Sequence, residues 1–314
     1  MADKYPIRIE IEPGIHLIRG KNRSRFPEAN CILIDDEILT LIDAGADIDH
    51  IRHALQSIGY ELEHIKRIVI SHFHIDHKGY AEIIRAASNC EVLCNPQGVD
   101  ATRSFEGLVK CYGHRHGEHY DAWERFLRMF APHSMEDYSV TGTFRDRGPI
   151  DCGSHKIIPI FTPGHTHDHT CFGIDGTDLV YLVDIDLTRF GPWYGNIVSD
   201  ISQFRKSVDV ILAEKPTVGI SGHLMDPVSN DLIERLERYR RVFDERDERI
   251  LKSIQEGHNT VDRLTRVPII YPSIPHEAYL TFEKIMIEKH ITLLQAAGRV
   301  AMRDGVLEVV NEGQ

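Results

Sequence analysis

The sequence places four side chains that can bind a metal ion within six positions, at His72, His74, Asp76 and His77. The run 65–70 directly before them ends in apolar β-branched residues and is typical of a buried strand. The residues that follow predict a helix with Asp76 and His77 in its first turn. Strand, turn and helix together would fix all four side chains at one end of a strand. The alternative is a surface loop that happens to be rich in histidine, and the Asp-His pair beside the His-x-His pair argues against it.

Three later apolar runs also end at a candidate ligand. These ligands are His165 in Thr-Pro-Gly-His-Thr, Asp184 after Leu-Val and His223 after Ser-Gly. Asp186 lies two positions beyond Asp184, and period-two alternation puts both acids on one side of an extended strand. We favour Asp184 as the ligand because it directly ends the apolar run, and Asp186 stays the alternative. His167 and His169 fit better as polar neighbours of the site or as surface residues.

Composition indicates a globular protein, with 314 residues, 42% hydrophobic and 27% charged. The N-terminus lacks the apolar segment of a signal peptide, and no stretch is long enough to span a bilayer. Six cysteines without zinc-knuckle spacing suit reduced thiols. The formal net charge of −12 argues against a nucleic-acid partner. We therefore predict a cytoplasmic protein with a small-molecule substrate and no membrane partner.

Short strands and turns alternate in the first part of the chain and helices enter later, so the pattern is not that of a simple doubly wound sheet. The predicted strands cover residues 7–11, 15–18, 31–34, 38–42, 65–70, 156–161, 170–174, 179–183 and 218–220. The predicted helices cover about 48–58, 76–87, 231–256 and 276–297. A largely helical insertion is expected over about 95–145.

The composition changes near residue 228, which predicts a first domain over 1–228 and a smaller module over 229–314. Helices followed by a hairpin at 299–309 give the module the order of a winged helix. It contains 13 Lys and Arg against 15 Asp and Glu, so it has no basic surplus for nucleic acid. We expect its apolar helix faces to pack on the first domain or on a second copy of the chain, as a homodimer.

Taken in order, these motifs resemble the metallo-β-lactamase superfamily, and more closely its glyoxalase II-like and lactonase-like hydrolases. The resemblance covers about residues 7–228 and implies a four-layer αββα sandwich of α/β class. It also implies two groups of metal ligands joined by Asp184 as a bridge. The ligands of one metal would be His72, His74 and His165, and those of the other would be Asp76, His77 and His223. Asp43 would support the site without binding metal. The family often has glycine before the bridging acid, where this chain has Val183.

The resemblance implies two divalent metal ions per chain, with zinc expected and iron or manganese as alternatives. A bridging hydroxide would attack an ester, lactone, thioester or related bond, with Asp76 assisting proton transfer. Tyr194 is a candidate oxyanion donor, against the alternative of an aromatic residue that only packs. In the insertion, Tyr112, His114, His116 and His119 are candidate substrate contacts, against the equal alternative of a solvated surface.

Three other functions stay open at this point. His72, His165 and Asp184 alone could form a mononuclear iron site, as in the superfamily's persulfide dioxygenases. A two-metal ribonuclease is the second alternative, and the acidic balance of residues 229–314 disfavours it. The third is a metal-bound regulator without catalytic activity, which the complete ligand set disfavours.

Overall fold

The structure is a computed structural model that describes residues 5–113 and 120–310. His114, His116 and His119, named above as candidate substrate contacts, lie outside the described residues. Within the described ranges, no helix combines the length and apolar character needed to cross a membrane.

Two large sheets and one hairpin contain the strands of the described residues. The seven-stranded sheet has the order β1-β2-β3-β4-β5-β6-β7, antiparallel up to β4 and parallel from β4 onwards. Its strands are β1 Arg8–Glu12, β2 Ile15–Ile18, β3 Cys31–Ile34, β4 Thr40–Ile42, β5 Arg67–Ile70, β6 Glu91–Cys94 and β7 Gly142–Thr143.

The five-stranded sheet has the order β12-β11-β10-β9-β8, and only β11 and β12 are parallel. Its strands are β8 Ile150–Asp151, β9 Lys156–Phe161, β10 Thr170–Ile174, β11 Leu179–Val183 and β12 Val218–Ser221. The hairpin pairs β13 Val300–Arg303 with β14 Val306–Val309.

Helices connect and cover the sheets. They are α1 Lys21–Ser24, α2 Ile48–Gln56, α3 Ile75–Lys78, α4 Ala81–Ser88, α5 Val99–Arg103, α6 Phe105–Tyr112, α7 Tyr120–Phe130, α8 Ile201–Glu214, α9 Leu232–Gln255, α10 Val261–Leu264 and α11 Ala278–Ala296. Short 3₁₀ helices lie at Leu62–His64, Pro96–Gly98 and Pro132–Met135.

The two large sheets pack face to face and share one apolar core, to which Ile32 of β3 and Phe172 of β10 both belong. Helices α2 and α4 pack on the outer face of the first sheet, where Leu55 and Ile84 are fully buried. Helices α8 and α9 cover the outer face of the second sheet. This arrangement is the predicted αββα sandwich. Strands such as β3 and β11 are buried at every position because both faces of each sheet are covered.

The predicted helix 76–87 is two helices, α3 and α4, separated by Gly79. The backbone of Gly79 is not helical, and a Cβ at this position would lie 2.8 Å from the Ala44 carbonyl oxygen. A close approach between the loop after β4 and this turn therefore interrupts the helix. The helical insertion predicted over about 95–145 ends before residue 142, because Gly142 and Thr143 form the edge strand of the first sheet.

The C-terminal residues form three helices and a hairpin in the expected order. Helices α9 and α11 contact each other, and α9 also packs on α8 of the sandwich. The described C-terminal helices therefore contact the sandwich of the same chain. The winged-helix likeness and the domain boundary near residue 228 stay predictions, and so does the homodimer.

Candidate metal centre

The seven residues predicted as metal ligands lie in two adjacent groups. Within each group the ligand atoms are all within 4.8 Å of one another. The first group is His72, His74, His165 and Asp184, and the second is Asp76, His77 and His223. All of them except His223 are buried.

The ends of strands bring these side chains together. His72 and His74 follow β5, and α3 carries Asp76 and His77. Asp184 directly follows β11, and His223 lies just after β12. Since β4 runs parallel to β5, and β11 to β12, their carboxyl ends open toward one edge of the sandwich.

Asp184 lies between the two groups. Its Oδ2 atom is 3.0 Å from His165 Nε2 and 4.0 Å from His72 Nε2. Its Oδ1 atom is 3.0 Å from His77 Nε2 and 3.3 Å from His223 Nε2. One carboxylate oxygen thus faces each group, which is the placement a bridging ligand requires.

Asp186 does not occupy that position. Its carboxylate accepts hydrogen bonds from the Thr188 amide at 3.0 Å and from the Thr188 hydroxyl at 3.1 Å. Burial raises the pKa of Asp186 to about 6. The structure therefore places Asp184, and not its rival, between the two groups.

Hydrogen bonds fix the ring tautomers of His72 and His165 in the first group. His165 Nδ1 donates to the Trp193 carbonyl at 2.8 Å. His72 Nδ1 lies 3.0 Å from the Ser71 hydroxyl, which itself donates to Asp43 at 2.9 Å. Because the Ser71 proton is engaged, His72 Nδ1 must be the donor. In both rings the Nε2 atom is left with its lone pair toward the other ligands.

Hydrogen bonds to Nδ1 also orient the histidine rings of the second group. His77 Nδ1 donates to Asp43 Oδ2 at 2.9 Å, and His223 Nδ1 donates to the Ser24 carbonyl at 2.7 Å. Both rings therefore turn Nε2 toward the Asp184 carboxylate. Asp43 also accepts from the Ser71 amide at 2.8 Å and from the Tyr181 hydroxyl at 3.1 Å. Asp43 thus orients the His77 ring directly and the His72 ring through Ser71, on the side away from Asp184. This is the supporting role that the resemblance predicts.

These tautomers make the donor set fit metal cations. In neutral rings, the Nε2 lone pairs of His77 and His165 would each face a carboxylate oxygen of Asp184 at 3.0 Å. Two electron-pair donors at that distance repel each other unless a proton or a metal cation lies between them. His72 Nε2, His77 Nε2 and Asp184 Oδ1 are also buried without a hydrogen-bond partner. Imidazole and carboxylate together suit zinc, iron and manganese.

The pKa shifts of His77 and Asp184 also indicate a site that favours positive charge. Burial alone would lower the pKa of His77, but the carboxylates of Asp184 and Asp43 outweigh it and raise that pKa well above the usual value. Burial likewise opposes ionisation of Asp184, and His77 and His165 hold its pKa well below the usual range. The centre thus stabilises positive charge between its carboxylates and imidazoles, which is the potential that a divalent cation would meet.

Two residues that the sequence did not assign to the ligand set position the ligands. His169 Nε2 accepts from the backbone amide of Asp184 at 3.1 Å. The Asn196 side-chain amide lies 3.0 Å from His74 Nε2, and His74 Nδ1 is 2.9 Å from His165 Nε2. The sequence predicts His169 as a polar neighbour of the site or a surface residue, and no local pattern marks Asn196.

Tyr194 lies elsewhere. Its side chain is fully buried, and its hydroxyl is 2.7 Å from His290 Nε2 and accepts from Arg246 at 2.9 Å. With these partners and no solvent exposure, the hydroxyl is not directed at the metal ligands. The placement speaks against the expected role as an oxyanion donor and favours the packing alternative.

The departure at Val183 has a structural consequence. Val183 has a φ of 54°, in the left-handed region that glycine adopts without cost and that a β-branched residue rarely adopts. This backbone turn directs Asp184 out of the strand and between the two groups. The chain therefore holds a strained residue directly before the candidate bridge.

Comparison with known proteins agrees with the geometry. The family model of the metallo-β-lactamase superfamily matches residues 25–232. The chain belongs to the metallo-β-lactamase superfamily. The matched range contains all seven residues of the two groups, and the groups fit the two-metal site typical of the superfamily.

Solved structures of other metallo-β-lactamase proteins share the fold. A metallo-β-lactamase family protein of Thermus thermophilus is 18% identical with a TM-score of 0.74, and the match covers 96% of this chain and 100% of that one. A β-lactamase domain protein of Burkholderia ambifaria is 17% identical with a TM-score of 0.67, covering 98% and 94%. A metallo-β-lactamase of Cronobacter sakazakii with the HARLDQ motif is 20% identical with a TM-score of 0.58, covering 77% and 94%.

The superfamily consists mostly of hydrolytic metalloenzymes, although some members catalyse other reactions. Membership in the superfamily therefore favours a metal-dependent reaction at this site, but it does not identify the substrate.

Proposed function

We propose that the protein is a hydrolase with a binuclear metal site, acting on an ester, lactone, thioester or related bond of a small molecule. The observation that carries this proposal is the position of Asp184, with one carboxylate oxygen toward each ligand group. A second group with its own fixed imidazoles, in which Asp76 and His77 are buried, supplies more ligands than a mononuclear site needs. It therefore favours two metal ions over the single iron of a dioxygenase.

The residues divide into ligands and supports. In this proposal His72, His74 and His165 would hold one ion, Asp76, His77 and His223 would hold the other, and Asp184 would lie between the two ions as their shared ligand. Two bound divalent ions supply a water molecule of lowered pKa and polarise the bond under attack.

The protein itself supplies orientation and a proton acceptor. Asp43, Ser71 and the Trp193 carbonyl hold the rings of His77, His72 and His165 with Nε2 directed inward before any metal binds. Asp76 has little solvent exposure, and burial raises the pKa of its carboxyl. We assign proton transfer to Asp76 from its position, because its carboxylate lies in the second group beside His77 and His223.

Metal analysis combined with a substrate panel tests the proposal. Purified protein should contain close to two divalent ions per chain and hydrolyse one class among lactones, thioesters, β-lactams and phosphodiesters. His77→Gln should lower metal content and turnover together, because it removes one imidazole lone pair from the second group.

Normal turnover in His77→Gln after loss of one metal would exclude the two-metal mechanism. One iron per chain with no hydrolysis, together with oxygen consumption on a persulfide, would bring the dioxygenase forward. Hydrolysis of the phosphodiester alone would favour the nuclease.

A further inference from the structure

The segment 190–199 connects the metal ligands to the C-terminal helices. On one side, the Trp193 carbonyl accepts from His165 Nδ1 at 2.8 Å, and the Asn196 amide contacts His74 Nε2 at 3.0 Å. The Ser199 hydroxyl also donates to the His165 carbonyl at 2.6 Å. Two ligands of the first group therefore take their orientation from this one segment.

Arg246 of α9 holds the same segment from the other side. Its guanidinium donates to the Pro192 carbonyl, to the Phe190 carbonyl at 2.7 Å and to the Tyr194 hydroxyl at 2.9 Å. Pro192 and Tyr194 flank Trp193 directly. The two neighbours of the residue that orients His165 are thus bonded to one rigid, planar group.

Because Arg246 is buried, its guanidinium depends on these hydrogen bonds in place of water. The side chain is only 1% exposed, and among the described residues it forms no ion pair with a carboxylate. Transfer of a guanidinium out of water is unfavourable unless its donors are satisfied. Here the Pro192 and Phe190 carbonyls and the Tyr194 hydroxyl accept from its two terminal nitrogens, while Nε is buried without a partner. The hydrogen bonds that Arg246 does form therefore all go to the 190–199 segment.

Helix α11 makes parallel contacts. The ammonium of Lys289 donates to the Ser199 carbonyl at 2.6 Å and to the Ile197 carbonyl at 3.2 Å. His290 lies 2.7 Å from the Tyr194 hydroxyl and pairs with Asp247 of α9 at 2.6 Å. Both long C-terminal helices, α9 and α11, therefore form hydrogen bonds with the 190–199 segment.

We propose that Arg246 is a positioning residue of the metal centre, acting through Pro192 and Trp193 to hold His165 in its ligand orientation. The C-terminal helices then belong to the catalytic unit, because they supply the group that fixes a ligand of the first metal. This inference rests on the proposed metal site, but the ring orientation of His165 exists without metal and can be measured without it.

The first test measures the His165 ring in metal-free protein. NMR of histidine selectively labelled with ¹⁵N, assigned with His165→Asn, should show a single Nδ1-protonated tautomer in the unsubstituted protein. In Arg246→Met the ring should exchange between both tautomers. Ile250→Ala is the matched control, since it removes a fully buried side chain from the same helix and should leave the tautomer unchanged.

The second test measures metal binding in the same variants. Arg246→Met should weaken binding at the first group by about 10- to 100-fold, as loss of support for a ligand does. In the cobalt-substituted protein, the absorption of one of the two sites should change. Arg246→Lys should recover part of the affinity, because an ammonium can still bind one carbonyl.

Should Arg246→Met fail to fold, Arg246→Lys and Tyr194→Phe still test the proposal, because each removes part of the network. A single Nδ1-protonated tautomer in every folded variant would overturn the proposal, whatever the activity. A wild-type protein that binds no metal but shows the tautomer change in these variants would overturn the proposed function and leave the positioning role standing.

Discussion

His77 Nδ1 donates to Asp43 Oδ2 at 2.9 Å, with both side chains fully buried. This bond joins the end of β4 to helix α3, and it decides which nitrogen of His77 faces Asp184. Asp43 itself has a φ of 62°, so the backbone leaves the strand sharply to present the carboxylate. The ligand geometry therefore depends on a residue that binds no metal in this proposal.

Asp43→Asn should weaken metal binding by about 10- to 100-fold while leaving the protein folded. An amide NH₂ directed at His77 Nδ1 would favour the wrong tautomer and aim a proton at Asp184. Metal affinity measured by competition with a chromophoric chelator checks this. The control is Asp36→Asn, since Asp36 forms a comparable pair with His155 at 2.8 Å away from the site. Equal losses in both variants would contradict the prediction.

Asp184→Asn and Asp186→Asn should differ in the number of metal ions that each variant retains. The first removes charge from the carboxylate that lies between the two groups, so at least one ion per chain should be lost, together with turnover. The second affects a carboxylate engaged by Thr188, so both ions should remain. Elemental analysis after gel filtration decides between them. Retention of both ions in Asp184→Asn would refute Asp184 as the bridge.

Gly45→Ala should lower turnover by about 100-fold, because displacement of a reacting group by about 1 Å has effects of this size. A Cβ on Gly45 would overlap the Asp76 carbonyl oxygen, so the helical turn α3 that carries Asp76 must move. Gly142→Ala is the control, because its new Cβ would meet only the flexible Leu93 side chain at 3.0 Å. Steady-state kinetics of both variants provide the comparison, and unchanged kinetics for Gly45→Ala would show that the turn tolerates the added group.

Glu28→Gln should stabilise the protein at pH 8 and have little effect near pH 4. Burial and the Asp47 carboxylate raise the pKa of Glu28 from 4.5 to about 7. Between these values the folded state binds more protons than the unfolded state, so this group's contribution to stability falls as pH rises. Removing the charge should raise Tm by about 2 °C at pH 8.

Thermal denaturation at both pH values measures the effect, with the exposed residue Glu12 substituted by Gln as the control. The same gain in Glu28→Gln at pH 4 and pH 8 would exclude titration of Glu28 as its cause.

Most strands could be predicted from the sequence because their signal is local. Apolar β-branched runs predicted strands 15–18, 31–34, 156–161, 170–174 and 179–183, and the structure has the same bounds. Helix ends were less accurate where packing intervened, as at Gly79, which lies against the Ala44 carbonyl oxygen. A pattern within one element carries no information about a neighbour that approaches from elsewhere in the chain.

The candidate ligands could also be predicted from the sequence, since each is a His or Asp that ends or closely follows an apolar run. The choice between Asp184 and Asp186 was not decided there, because alternation gives both the same side of a strand. The left-handed turn at Val183 and the Thr188 contacts separate them in the structure. Tyr194 looked like a site residue from its place after Asp184, yet packing against α9 and α11 buries it.

The sequence by itself determined which residues end strands and so which side chains can gather at one edge of the sandwich. The tertiary structure alone decided the rest: the position of Asp184 between the groups, the tautomers set by Asp43 and Trp193, and the contact of Arg246 with the 190–199 segment. The physical reason is that periodicity reports burial within an element. Hydrogen bonds between residues far apart in the chain exist only once the elements have packed.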